Sequence, residues 1–212
     1  MHCFAVPRAV SQLLLCGALV LGAAVARADY VWLSPGEAGT AVAEAGLLDG
    51  ERVPMAGFGE VDVSQGGEAR TALAADGDRL LVSGLQGDGD LRLVGHRATA
   101  EGALMYYQAK LGRQETRASL DLELVPTEPG GNTFRLMWKG NPVSASQVNV
   151  TTSEGWSRVL RPAKDGTVTL STPFPGLYVL ELTAKVNGSA TVDGKKYDDV
   201  RHTTTLSFVV QP

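Results

Sequence analysis

Two histidines and a short acidic cluster are the side chains of this sequence best suited to chemistry. Asp198, Asp199 and His202 lie within five residues of one another, and His96 is the other imidazole beyond residue 28. Carboxylates and imidazoles both bind divalent transition metals such as nickel, copper or zinc. Together with a terminal amine, this set predicts a metal site.

The same histidines also have a structural interpretation. His202 shares the even-numbered positions of the last apolar segment with Leu206 and Phe208, which points it toward the core near a strand end. A partly buried, hydrogen-bonded histidine is therefore the alternative to a metal ligand. His96 follows Val94 in a predicted loop, where we expect it to be exposed to solvent.

Signatures of catalysis are absent from the sequence. It has no Gly-x-Ser-x-Gly elbow, no His-Glu-x-x-His motif and no phosphate-binding glycine loop before a helix. Two histidines leave little material for general acid–base catalysis, and a Ser–His–Asp triad built on His202 would lack its elbow. We therefore expect a protein that is not an enzyme.

Aromatic side chains offer a second kind of binding chemistry, namely stacking on a sugar. Trp138 and Trp156 share the core-facing positions of their segments, so we interpret them as packing residues. Tyr106 and Tyr107 are adjacent, and adjacent side chains of a strand point to opposite faces. At most one of these two rings is then available to a ligand.

Alternating apolar residues predict the elements that must position these side chains. Seven period-two segments at turn spacings of roughly 8–12 residues follow residue 119, which is typical of an immunoglobulin-like sandwich. Residues 167–171 and the strand from 177 are interpreted as one hairpin around the Pro-Phe-Pro-Gly turn at 173–176. Before residue 119, strands are predicted at 29–33, 58–63, 79–83, 90–94 and 103–111, and the rest of 37–78 as flexible loops.

The first 28 residues have the pattern of a secretory signal peptide. A basic residue, an apolar run over 13–25 and Ala26-Arg27-Ala28 predict cleavage after Ala28. Both cysteines, Cys3 and Cys16, lie in this segment, so we expect a mature protein without disulfides.

The charge of the remaining chain bears on its partners. The predicted signal peptide holds two of the 19 basic residues and none of the 23 acidic ones. The rest of the chain therefore has 17 basic and 23 acidic residues, which gives it a formal net charge of −6. Nucleic acid and direct insertion into a membrane are thus not expected.

Several turn motifs resemble known exported modules. Gly140-Asn141-Pro142-Val143 before a Val-x-Val strand, Lys164-Asp165-Gly166 and the 173–178 segment are similar to prealbumin-like sandwich modules. The segment 29–35, the 173–178 segment and the closing strand 204–210 resemble a periplasmic family of unknown function that is grouped with nickel-uptake accessory proteins. This resemblance implies a soluble periplasmic component near transition-metal uptake, linked to a membrane receptor or transport component. Many members begin the mature chain with His, where this chain has Asp29, so Asp29 is the corresponding candidate ligand.

These observations combine into one prediction. We expect an all-β protein with an irregular N-terminal β region at 29–118 and an immunoglobulin-like (prealbumin-like) β-sandwich at 119–212. We expect a periplasmic or secreted, non-enzymatic accessory or binding protein of nickel, cobalt or copper uptake. The alternative is a structural or adhesive sandwich that binds a protein or glycan partner through the segments 35–78 and 187–199. The candidate metal ligands are His202, Asp198, Asp199, His96 and Asp29.

Overall fold

The chain folds into β-strands joined by short turns. A computed structural model describes residues 29–37, 39–66, 68–69 and 72–212. Within these ranges the one helical segment is a single 3₁₀ turn, Met55–Gly57. The strands are β1 (Tyr30–Pro35), β2 (Thr40–Gly46), β3 (Arg52–Val53), β4 (Gly59–Gln65), β5 (Glu68–Ala69), β6 (Ala72–Asp76), β7 (Arg79–Ser83), β8 (Leu91–Ala98), β9 (Leu104–Leu111), β10 (Leu122–Pro126), β11 (Thr133–Trp138), β12 (Asn141–Val143), β13 (Val148–Thr152), β14 (Ser157–Leu160), β15 (Thr167–Thr169), β16 (Gly176–Val186), β17 (Ala190–Val192), β18 (Lys195–Tyr197) and β19 (Val200–Val210).

A central sheet of eight strands organises the molecule, in the order β14-β13-β16-β19-β9-β8-β4-β5. Its neighbours are antiparallel except at its middle, where β9 and β19 run parallel. A four-stranded sheet, β10-β11-β12 with β15 beside β11, covers one face. The opposite face is covered by a five-stranded sheet, β1-β2-β7-β6 with β3 beside β2.

Two apolar cores lie on either side of the central sheet. Phe134 and Leu136 of β11 pack against Leu206 and Phe208 of β19. On the other face, Val31 and Leu33 of β1 share a core with Met105 and Tyr107 of β9, among others. Since neighbouring side chains of a strand alternate between faces, β9 and β19 are buried on both sides. The structure thereby confirms the all-β sandwich that the alternation predicts.

The predicted boundary at residue 118 crosses this architecture. The central sheet takes β4, β5, β8 and β9 from the N-terminal side and β13, β14, β16 and β19 from the C-terminal side. The division into an N-terminal region at 29–118 and a sandwich at 119–212 therefore stays a prediction.

The expectation of loops over most of residues 37–78 is wrong. β2 is a full strand of the five-stranded sheet, and its inward side chains are Ala41, Ala43 and Ala45, all buried. Alanine has low strand propensity and little apolar surface, so the alternation is present but weak. β6 and β7 form a hairpin beside it.

The predicted hairpin of 167–171 with the strand from 177 is also wrong, although both strands exist. β15 pairs with β11 in the four-stranded sheet, whereas β16 pairs with β13 and β19 in the central sheet. Pro173 and Pro175 lack backbone N–H groups and cannot contribute ladder hydrogen bonds. The connection carries the chain from one layer to the other.

The predicted signal peptide lies outside the described residues. Across 29–212, leaving aside residues 38, 67 and 70–71, no helix has the length and apolarity needed to span a bilayer.

Candidate functional site

A row of ring-bearing side chains crosses the middle of the central sheet. The register places His96 of β8 opposite Tyr106 of β9, and Tyr106 beside His202 of β19. Residues opposite one another in a ladder point to the same face, so the three rings adjoin. The Tyr106 and His202 rings are stacked, with centroids 4.9 Å apart and planes 24° apart, and the His96 and Tyr106 centroids are 6.1 Å apart.

Trp138 closes this row from the facing sheet. It ends β11, on the same side as the core residues Phe134 and Leu136, but it is only partly buried. Its ring meets His202 edge to face, with centroids 4.8 Å apart and planes at 86°. Lys139, held in a turn at φ 47°, extends its ammonium to 5.3 Å from the indole centroid. We call Tyr106, His202 and Trp138 the ring cluster.

The ring cluster opens onto a cavity of ≈570 Å³ between the two layers, here called the central cavity. Polar groups surround it: Glu60 on one side, Asp121 and Lys139 on another, and Ser189 at the start of the β17–β18 hairpin. A concave space with aromatic walls and a few polar groups is the usual form of a small-ligand site. Trp138, interpreted from its position as a core residue, is a cavity wall as well.

His202 lies at the floor of this cavity. It is 7% exposed, and burial, opposed by the charge of Asp121 and aided by that of Lys139, lowers the pKa of its imidazole below 6.5. Among the residues described, its Nδ1 has no hydrogen-bond partner, and neither has Oε1 of the neighbouring Gln108. The burial expected for His202 is confirmed, but the hydrogen bond expected of it is missing at Nδ1.

His96 lies inside β8 and is 9% exposed, so the expectation of an exposed loop residue is wrong. Space for its ring comes from Gly59 across the ladder, where a Cβ atom would lie 2.7 Å from Nε2. A bulge follows in β4, and Glu60 has a positive φ of 47° there. The bulge brings the Glu60 carboxylate to 3.8 Å from Nδ1 of His96, at the edge of the cavity.

The acidic candidates for metal binding lie apart from the histidines. Asp199 is paired with Arg201 and Lys185; hydrogen bonds from Arg201, and then from Lys185, lower the pKa of its carboxyl to about 2. Asp198 is exposed and paired with Lys196 at 2.8 Å. Both carboxylates already have cationic partners.

Asp29 lies on the other side of the central sheet from His202. Burial, and then the charge of Asp29, raises the pKa of the Tyr107 phenol, and Tyr107 faces the five-stranded sheet. Over the described part of the chain, no three His, Cys, Asp or Glu side chains are grouped as metal ligands would be.

A buried ion cluster, which the sequence did not indicate, lies next to the central cavity. Arg92 and Lys110, both almost completely buried, lie side by side on β8 and β9 and reach Glu123 of β10. Asp90 lies 3.0 Å from Lys110, and Glu115 bonds to Arg92. Burial alone would lower the pKa of the Arg92 guanidinium, but Glu123 and Glu115 together raise it.

This ion cluster supports one wall of the cavity. The second carboxylate oxygen of Glu123 accepts hydrogen bonds from the backbone N–H groups of Ser119 and Leu120, at 2.7 and 2.9 Å. Those two residues and Asp121 line the central cavity. The irregular segment before β10 is thus fixed from beneath by a charged, hydrogen-bonded side chain. In the sequence, Arg92 and Lys110 alternate with the core residues Leu91, Leu93 and Ala109 and so have the pattern of solvent-facing side chains, which gives no local signal for this cluster.

Comparison with known proteins gives a weak likeness to a solved structure. No family model matches the chain, and no curated protein matches it. Among solved structures, it is similar to the SGBP-B protein of the Bacteroides ovatus mixed-linkage glucan utilization locus, in complex with a mixed-linkage heptasaccharide, at 15% identity and a TM-score of 0.20. The likeness covers 85% of this chain and 46% of that protein, so the chain spans less than half of its length. A TM-score of 0.20 is too low to support the fold assignment, which therefore rests on the sheets described above.

Proposed function

We propose that this protein is an exported, non-enzymatic carbohydrate-binding protein and that a glycan occupies the central cavity. The observation that carries the proposal is the ring cluster: His202 contacts both Tyr106 and Trp138, and the three rings together line a cavity with a polar rim. Both Tyr106 and Trp138 are partly exposed there.

The chemistry of the cavity suits a sugar. A pyranose has apolar C–H faces that pack on aromatic rings and hydroxyl groups that both donate and accept hydrogen bonds. Aromatic walls supply apolar contact, and Tyr adds a polar hydroxyl. Asp121 and Lys139 then offer an acceptor and a donor at the rim.

The position of the cavity also agrees with the segments expected to meet a partner. Glu60 belongs to the segment 35–78 and Ser189 to the segment 187–199, and both line the central cavity. Two segments far apart in sequence therefore meet at one place.

Binding without cleavage is supported by the two carboxylates of the cavity. A glycoside hydrolase uses a carboxyl group in a water-poor environment as its general acid. The side chains of Glu60 and Asp121 are 86% and 51% exposed, so both are open to water. The sequence adds no catalytic motif.

An accessory role in transition-metal uptake stays a prediction. Of its five candidate ligands, only His96 and His202 lie at the central cavity, and the Tyr106 ring contacts both.

Calorimetric titration with neutral oligosaccharides tests the proposal. We expect at least one member of a cello-, malto-, xylo- and chito-oligosaccharide panel to bind, and Trp138→Ala to weaken that binding at least about tenfold. Trp156→Ala is the matched control, because Trp156 is also partly buried but packs against Phe174 and Tyr178, away from the cavity. Absence of binding across the panel, or equal affinities for the Trp138→Ala variant and the unchanged protein, would overturn it. Parallel titrations with nickel, cobalt and copper on the unchanged protein and on His202→Ala test the metal prediction.

A further inference from the structure

Two more cavities adjoin the central cavity, one on each side. The first flanking cavity, of ≈510 Å³, lies between β11 and the end of β16 and shares Trp138 and Val186 with the central cavity. The second, of ≈320 Å³, lies between the 3₁₀ turn and the β17–β18 hairpin and shares His96. The flanking cavities have no residue in common, so the three lie in series with the ring cluster in the middle.

Both flanking cavities combine apolar and hydrogen-bonding surfaces. The first has the indole of Trp138, which it shares with the central cavity, and Gln147 and Asn187 among its polar groups. The second has Tyr197 and Asp193 in its lining. Apolar surface and hydrogen-bonding groups therefore continue along the series.

The fixed charges along this series balance. Three carboxylates and three cationic side chains line the cavities, with neither sign collected at one end; they are Glu60, Asp121, Asp193, Lys139, Lys185 and Arg97. A polyanionic ligand would find no net positive surface, and the protein as a whole is acidic, with a formal charge of −4. An uncharged ligand is the one that this lining accommodates.

We infer that the three cavities form one groove that binds a neutral, unbranched oligosaccharide of at least three sugar units. This inference rests on the proposed function and adds the length and charge of the ligand. A single sugar contacts only part of this groove, and each further unit adds contacts in the next cavity. Affinity must then rise with chain length until the groove is occupied.

A chain-length series with blocked variants tests this inference. The oligosaccharide type that binds is titrated calorimetrically from the monosaccharide to the hexasaccharide. We expect at least a tenfold gain in affinity between the monosaccharide and the longer members. Ser146→Trp fills the first flanking cavity and Ala98→Trp the second, and both positions are exposed, so neither variant requires repacking of the core. Each should remove part of the chain-length gain and leave the affinity for the shortest binding sugar unchanged.

Ala75→Trp is the matched control, because Ala75 is exposed on β6 and lines none of the three cavities. It should keep the full gain. If the monosaccharide binds as tightly as the hexasaccharide, or if both blocked variants keep the full gain, the groove is refuted while carbohydrate binding stands. If a charged oligogalacturonide binds as tightly as the neutral series, the inference of a neutral ligand is wrong. If no sugar of any length binds, both the groove and the proposed function fail.

Discussion

Replacement of Glu123 by alanine is the sharpest test of how the layers are joined. One carboxylate oxygen accepts from Nε and Nη2 of Arg92 at 3.0 and 2.8 Å and lies 3.3 Å from Nζ of Lys110. The other oxygen holds two backbone N–H groups of the segment before β10. Alanine would leave two buried cations with fewer anionic partners and two amides without their acceptor.

The expected loss is large because these groups are out of water. Arg92 and Lys110 are 1% and 0% exposed, and breaking a buried ion pair from one side costs about 3–5 kcal/mol of unfolding free energy. Such a loss is a large part of the about 5–15 kcal/mol that stabilises a typical domain. Glu123→Gln keeps the shape and one acceptor oxygen, so we expect a smaller loss of about 1.5–3 kcal/mol.

Urea denaturation followed by tryptophan fluorescence measures both variants. With a denaturant slope of about 2 kcal/mol per molar, Glu123→Ala should lower the midpoint by about 2 M. The control is Arg79→Ala, which breaks an ion pair with Asp76 whose side chains are both 50% exposed and should cost no more than about 1 kcal/mol. A loss for Glu123→Ala as small as that of the control would refute a stabilising role for the cluster. The double variant Arg92→Ala/Glu123→Ala should lose less than the sum of its single variants, since the two side chains are bonded to each other.

Two further side chains give independent tests. Burial keeps the folded-state pKa of His202 below 6.5, so the unfolded chain takes up the proton first and stability must fall as the pH drops from 6.5 through the folded-state value. His202→Phe keeps a ring against Tyr106 and should lack this part of the decrease in unfolding free energy between about pH 8 and about pH 5; the same decrease in both proteins would contradict it. The Tyr178 hydroxyl donates to the carbonyl of Phe174 at 2.9 Å and accepts from its N–H at 3.2 Å, so Tyr178→Phe should lose about 1 kcal/mol in urea denaturation, and no loss would show that water replaces both bonds.

Strand positions were predictable where large apolar side chains alternate. β9, β11, β16 and β19 follow Leu, Phe, Tyr and Val residues at every second position, and the structure has a strand at each of these places. The pairing of those strands was less predictable. The sequence predicts a hairpin of β15 and β16 because the two strands are close in sequence and separated by a turn. In the structure, the Pro-rich link between them connects two different layers.

The candidate site was only partly predictable from the sequence, because a core-facing position and a place in a binding site usually exclude each other. Trp138 has a core-facing position in β11, and it does pack on His202; it also stands where the two layers diverge and forms a cavity wall. The sequence pattern predicts that the strand before His96 ends at Val94, but β8 continues because Gly59 leaves room opposite. Neither property is visible in a local pattern, since each depends on the distance between chains far apart in sequence.

The topology explains why the site lies at the centre of the sheet. Tyr106 and His202 are neighbours only through the parallel pairing of β9 with β19, and parallel neighbours need a long connection. Here that connection contains the entire four-stranded sheet together with β13, β14 and β16, and the chain then returns through β19 to join β9. The returning strand therefore closes the row of rings and the facing Trp138 comes from the connection itself, so the cavity exists only when the first and last parts of the described chain are paired. A site assembled in this way depends on the complete fold, and ligand binding should stabilise all three layers together.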